Sequence, residues 1–301
     1  VATNYKALPL NCSRRAVGDG SLDKFGAMIN MEIPSNNKKT TVYAFGGYNY
    51  KKSDAYAYTR NYSGRPDRFP VDANGDLVFD PSIMKVADDG EIYYNPIIQS
   101  KIQDVSMSAG VRGSLRNNWN WDVSNTFGRN DFHYYGDQTY NVSSIIVNNT
   151  KRQTHFDDGG FNFLQNTVNL DLTKSFKKVA QGLNLGFGAE YRYEYYTIYE
   201  GEEASYAGYP NSFGQAPGSQ GFPGFSPNDV IKKSRSNLSA YVDAELNVTK
   251  EWLVDGALRF ENYSDFGSLA TYKLATRYLV NKQLNINGSV STGFRAPSLQ
   301  Q

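Results

Sequence analysis

The 301-residue chain has one cysteine, Cys12, and two histidines, His133 and His155. A lone thiol closes no internal disulfide and indicates no redox compartment. The two histidines lack metal-ligand spacing, and no resident metal or cofactor is expected. Surplus charge is missing too. With 31 Lys and Arg against 30 Asp and Glu, the net charge is +1, which leaves no electrostatic footprint for nucleic acid. No run of about eighteen apolar residues occurs, which excludes a transmembrane helix. Neither a Ser/His/Asp spacing nor a glycine-rich loop leading from a strand into a helix is present, so an enzyme is not expected. The opening residues, VATNYKALPL, lack the basic start and apolar centre of a leader peptide, and the sequence therefore predicts an internal segment of a longer precursor.

What is abundant is alternation. From Asn237 to Val248 the even positions are Leu238, Ala240, Val242, Ala244, Leu246 and Val248, and the odd ones are polar or tyrosine. A period of two means a strand with one apolar face. The pattern resumes with Val254, Gly256, Leu258 and Phe260, then Tyr272, Leu274, Thr276, Tyr278 and Val280, then Leu284, Ile286, Gly288 and Val290. A soluble β-sandwich, a binding module, satisfies such a pattern by burying the apolar side. A membrane barrel turns it to lipid. These strands exceed the usual five or six residues and match the roughly nine to eleven needed to cross a bilayer. The polar side carries Asp243, Glu245, Arg259, Glu261, Lys273 and Arg277, a charged wall suited to a wet lumen. Mean hydropathy of −0.57 does not argue against this, because half of every barrel strand is polar.

Upstream, three more hairpins appear. Ala27, Ile29, Met31 and Ile33 lead into a turn at 34–39 and a long strand from Thr40, its facing ambiguous around Gly46 and Gly47. Val105 to Val111 and Trp121 to Phe127 flank a turn at 116–118, and Asn125 interrupts the second apolar series. Val168, Leu170 and Leu172 precede a turn at 176–178, and Leu183 to Tyr195 return with Glu190, Arg192 and Glu194 on the polar side. Segments 61–98, 137–158 and 202–233 read as long loops. Short and long connections alternate, as in barrels with short periplasmic turns and long outer loops. The fold class is all-β: an antiparallel transmembrane β-barrel with about ten strands. The 23 tyrosines suit interfacial belts.

The closing stretch carries a family resemblance. Gly293-Phe294-Arg295-Ala296-Pro297-Ser298-Leu299, preceded by the Glu261–Ser268 turn ENYSDFGS, resembles TonB-dependent outer-membrane receptors. The resemblance implies a barrel of about 22 strands, of which this chain holds an incomplete part. Residues 1–22 are expected to be a connector and 23–301 a partial barrel, with the family's plug domain absent. It also implies a bacterial outer-membrane location and active uptake of a scarce, bulky nutrient, foremost a ferric siderophore or other iron complex. Its expected partners are membrane lipid, a small-molecule ligand such as an iron chelate, and the TonB energy-coupling complex, met through the plug. Carbohydrate or cobalamin uptake and a passive porin are the alternatives.

Glu190, Arg192, Glu194, Asp243, Glu245, Arg259, Glu261, Lys273, Arg277 and Arg295 are expected to face the lumen, as wall and plug contacts first and ligand contacts second. Tyr206, Tyr209, Phe213, Phe222 and Phe225 sit in the third long loop, where no core explains them, and are candidates to enclose a ligand. His133, beside the second loop, joins them. Asp72, Asn74, Asp76 and Asp80 offer oxygen ligands to calcium but lack the twelve-residue EF-hand order, which favours a solvated turn.

Overall fold

A computed structural model describes residues 20–36, 39–144, 152–209 and 213–300. Most of the expected connector, residues 1–19, lies outside the described residues. The strands are β1 (Ser21–Pro34), β2 (Thr40–Tyr56), β3 (Arg60–Asn61), β4 (Lys85–Val86), β5 (Ile92–Tyr94), β6 (Ile97–Ser114), β7 (Trp119–Asp137), β8 (His155–Phe176), β9 (Leu183–Tyr199), β10 (Ile231–Asn247), β11 (Trp252–Tyr263), β12 (Gly267–Leu279) and β13 (Asn285–Ser291). Ten of them form one antiparallel sheet in sequence order, β1-β2-β6-β7-β8-β9-β10-β11-β12-β13, and the other three make a small sheet of their own.

Register converts the alternation into faces. Ile33, Val42, Val111, Val123, Leu170, Ala189, Ala240, Phe260 and Ala270 are successive cross-strand partners from β1 to β12. Such a row is an unbroken apolar stripe. The same register settles β2: Val42 and Ala44 lie opposite Val111 and Ala109, and Gly46 lies opposite Met107. The parallel row Asn169, Glu190, Ser239 and Glu261 lies on the other face. Exposure is inverted relative to a soluble protein. Leu238, Leu258 and Leu274 are 59%, 51% and 54% exposed, whereas Asn237, Ser239 and Glu261 are 1%, 2% and 8% exposed. A sandwich requires the opposite, since its apolar face is its core. The sheet is an incomplete membrane barrel.

Two glycines let the polar face knit across strands. The Tyr43 ring lies over its cross-strand partner Gly110, and its hydroxyl donates to Asp122 Oδ1 at 2.7 Å. Tyr241 repeats the device over Gly188, donating to Asp171 Oδ1 at 2.5 Å. A Cβ at either glycine would meet the ring within 2.7 Å. On the apolar face, the interrupting Asn125 has a partner. Its Nδ2 donates to Asn166 Oδ1 at 2.9 Å, and Asn166 Nδ2 returns the bond at 3.2 Å. Paired amides avoid the cost of an unmatched polar group in hydrocarbon.

The connections depart from the expected alternation. At one end all the turns are short. At the other, segments 57–96, 138–154 and 200–230 are long, but β11 and β12 join through residues 264–266 alone. The long segments are also not structureless. The first contains the β3-β5-β4 sheet, and the second is shorter than expected because β7 extends to Asp137 and β8 begins at His155. Phe69, Ile83, Met84 and Tyr94 of the first segment, Tyr140 and Val142 of the second and Ala216 of the third share a core. Edge-to-face rings link Phe69 to Tyr94 and Tyr94 to Tyr140, at 5.2 and 5.4 Å. Polar ties cross the same boundaries. Arg68 Nη1 donates to Gln220 Oε1 at 2.7 Å, and Asn141 Nδ2 to the Ala204 and Ala207 carbonyls at 2.9 and 2.8 Å. Burial pushes the Tyr94 and Tyr140 hydroxyls up and lowers Arg152 to about 10. The three loops form one folded cap.

Candidate mouth site on the polar face

The charged residues of β9 to β11 are brought together by parity. Glu190, Arg192 and Glu194 are spaced by two on β9, and Arg259 and Glu261 by two on β11. Arg192 Nη2 donates to Glu190 Oε1 at 2.7 Å, Arg259 Nη2 reaches the same oxygen at 3.2 Å, and Arg259 Nε donates to Glu261 Oε1 at 3.1 Å. These five side chains and Arg295 border a cavity of about 810 Å³. Tyr263, the last residue of β11, lines it as well, which places it at the loop-bearing end of the wall.

The remaining charged positions share the face but not the cavity. Lys273 Nζ donates to Asp255 Oδ2 at 2.5 Å, and Glu245 accepts from Asn184 Nδ2 at 3.0 Å. Asp243 lies opposite Ala257, whose other neighbour is Lys273. Arg277 borders a separate recess with Glu245 and Asp255.

Sequence reasoning missed Arg235, which organises the mouth. It is 5% exposed. Its Nε donates to Asp265 Oδ2 at 2.8 Å, and its Nη1 to Glu194 Oε2 at 3.4 Å and to the Pro297 carbonyl at 2.8 Å. Its guanidinium also lies over the rings of Phe266 and Tyr263, at 5.4 and 5.9 Å. Phe294 packs on those same two rings. The Gly293–Leu299 phrase is thus a strap clipped to the polar face beside the short outer turn. The available signal was parity, since Arg235 shares the odd series of Asn237 and Ser239.

Aromatic rings continue the cavity toward the cap. Tyr196, on its lining, lies 6.3 Å from Phe161, which stacks on Phe132 at 5.2 Å. Tyr134 joins Phe132 at 4.6 Å and takes Phe222 at 4.9 Å and Phe225 at 6.4 Å from the third loop. The expectation that no core explains Phe222 and Phe225 is corrected: they pack on the sheet. Tyr206 is half-buried on a single helical turn (Glu203–Tyr206), Tyr209 is exposed, and Phe213 lies over Gly75 in the first loop. Those three are not ring partners of the mouth group.

His133 lies on the opposite face, in the odd series that continues Trp121, Val123 and Phe127. Its Nε2 is 2.7 Å from Asp157 Oδ1, and its Nδ1 is 3.0 Å from the Tyr199 hydroxyl. Reading FHYY (Phe132–Tyr135) by parity separates His133 and Tyr135 from Phe132 and Tyr134. In the acidic turn, the Asp72 carboxylate accepts from the Asn74 and Asp76 backbone N–H groups at 2.8 and 3.0 Å. Both bonds land on Oδ1, and they hold the Asp72 pKa below the usual range.

Comparison with known proteins places the architecture. The ferric-catecholate import receptor Fiu of E. coli K12, in its closed form, superposes with a TM-score of 0.53 at 12% identity, over 90% of this chain and 43% of that one. The RagAB peptide transporter superposes with a TM-score of 0.56 at 13% identity, over 86% of this chain and 30% of that one. The chain therefore spans less than half the length of these structures, and at such identities the likeness shows the fold. The vitamin B12 transporter BtuB of Photobacterium profundum is 28% identical over 64 residues, which are 21% of this chain and 10% of that protein. Residues 36–301 match the family model described as TonB dependent receptor-like, beta-barrel, and the chain accordingly belongs to the TonB-dependent receptors, outer-membrane transporters of Gram-negative bacteria rather than enzymes.

Proposed function

We propose that the protein takes up a scarce, bulky nutrient, foremost a ferric siderophore or comparable iron complex, with energy supplied through TonB. The observation that carries this reading is the cavity of about 810 Å³ at the loop-bearing end of the polar wall. Its volume falls within the range of small-molecule sites, about 300–1,000 Å³. Aromatic rings roof it and paired charges floor it, which suits a ligand with both flat and charged groups. The polar face is the lumen wall, and its lower charges, Asp243, Glu245, Lys273 and Arg277, contact the plug domain through which TonB acts. The ferric-catecholate import receptor among the structural relatives agrees with this substrate class.

The test is uptake of radioactive iron in a strain lacking the gene, complemented with the native protein, in TonB-positive and TonB-negative backgrounds. Uptake should require both the protein and TonB. Uptake indifferent to TonB would mark a passive porin and end the proposal. The match to a B12 transporter favours cobalamin as the second reading, and labelled cobalamin in the same strains decides between the two.

A further inference from the structure

The carboxyl of Asp158 is a buried acid that the uptake reading leaves unused. Its strand, β8, has 22 residues, about twice the number that crosses a bilayer, and Asp158 is the fourth of them, at the loop-bearing end and clear of the hydrocarbon. It is fully buried beneath the third loop. Backbone bonds seat the loop there: Phe225 N–H donates to the Asp158 carbonyl and Gly201 N–H to the Phe225 carbonyl, both at 2.9 Å. Beside them the Ser219 hydroxyl lies 2.7 Å from the Phe222 carbonyl and 3.1 Å from Asp158 Oδ1. A hydroxyl has one hydrogen, and a carbonyl only accepts. With that hydrogen on the Phe222 carbonyl, the second contact is a hydrogen bond only when Asp158 is the donor, so its carboxyl is protonated. Oδ2 is buried without a partner, which a neutral carboxyl tolerates far better than an anion.

The surroundings agree with a neutral acid. The charges that act on Asp158 are Asp157 and Glu202, both negative. His133 is turned to Asp157 and His155 to Asp137. β7 presents Gly136 to Oδ2, and the third loop presents Ser205 and Ser219. None of these described neighbours offers Asp158 a cation. Burial, helped by the two acids, pushes its carboxyl up to about 8.

We propose that a proton on Asp158 latches residues 219–225 of the third loop to β8, and that losing it releases them, a pH-sensitive closure beside the mouth. Asp158 is a positioning residue. Through Ser219 it holds the Phe222 carbonyl, and the Phe222 ring lies on Tyr134 in the aromatic roof. The latch does not depend on which ligand is taken up. Linkage gives its sign. The folded carboxyl holds its proton more tightly than an unfolded aspartate, whose value is about 3.9. The stabilisation is therefore whole below that value and is lost as pH rises through about 8. Across this window, opening of the loop should grow about tenfold per pH unit.

The test is chymotrypsin cleavage after Phe222 and Phe225 in the native protein purified from outer membranes, read by mass spectrometry from pH 6 to 9. Each rate is divided by that of a free peptide spanning residues 217–229 at the same pH, which removes the protease's own pH dependence. The ratio should rise at least about tenfold across the range. Asp158→Asn, whose amide can still donate to Ser219, should keep the ratio low and level. Asp158→Ala should make it high at every pH, while the heat-resistant band of the barrel stays unchanged in both variants. The rescue by asparagine at high pH separates a proton latch from simple packing. A native ratio that stays level from pH 6 to 9 would overturn the latch, and so would a rise that persists in Asp158→Asn. Asp158→Asn as open as Asp158→Ala at pH 6 would show that the ionised form holds the loop, and would overturn it as well. TonB-dependent uptake stands or falls separately from all of these outcomes.

Discussion

Leu258 and Ala257 are adjacent in sequence and meet opposite solvents. Leu258 is 51% exposed on the apolar face, between Val242 and Tyr272, while Ala257 lies between Asp243 and Lys273. A cationic side chain on the lipid side near mid-depth costs about 2–4 kcal/mol, and on the lumen side little. Leu258→Arg should therefore lower the heat-resistant, folded band on a gel, whereas Ala257→Arg should leave it near the native level. Equal loss in both would reject the assigned faces. The amide pair gives a second residue-scale prediction. Asn125→Val strands Asn166 in hydrocarbon, and an interhelical amide bond in lipid, the nearest comparison, is worth about 0.6–2 kcal/mol. The single variant should unfold at lower urea in liposomes, and the Asn125→Val/Asn166→Val double variant should regain most of the loss. If the double variant is as weak as the single, the two amides do not act as a pair.

At the scale of elements, the cap is a folded unit attached to the ends of strands, and its stability is separable from theirs. Phe69 is fully buried between Tyr62 and Tyr94, and removing such a ring costs about 3–5 kcal/mol. Phe69→Ala should open the loops to protease on intact cells while the barrel keeps its heat-resistant band. Acid should act on the same unit. Asp67 is held below its ordinary value by Arg65, Asp72 by backbone N–H groups, and Asp229 by Ser226. A depressed carboxylate lends stability that is complete above its unfolded value, about 3.9 for aspartate, and is lost as pH falls through the folded one. Loop proteolysis should consequently rise as pH falls below about 4. Acceleration on the alkaline side alone would contradict the sign. The strands were legible in the sequence because a period of two over many residues encodes the face directly, as in Leu238 to Val248. The cap was not. Its core joins Phe69, Tyr94, Tyr140 and Ala216 across long separations, and no local period marks residues that meet only after the sheet has formed. The mouth was half legible: Glu190, Arg192, Arg259 and Glu261 follow from alternation, but Arg235 and Tyr134 needed the register.

For the whole molecule, the decisive feature is that the ten-stranded order has two ends. Among the described residues β1 pairs only with β2, and β13 only with β12. Every residue of β1 is exposed over its fourteen positions, as is every residue of β13 over its seven. In a bilayer no water satisfies an open ladder, and each unpaired N–H or C=O costs several kcal/mol. Transfer of the apolar face draws the sheet to lipid, but two rows of unpaired backbone groups oppose its crossing the hydrocarbon. A polypeptide limited to these 301 residues should therefore bind liposomes without becoming heat-resistant or protease-protected, and should form edge-paired aggregates when concentrated. Supplying the complementary strands on one chain should convert it to a protected barrel. A heat-resistant, monomeric product from the 301 residues alone would mean that β1 and β13 can meet, and that ten strands close a small barrel with a lumen too narrow for the mouth site described above.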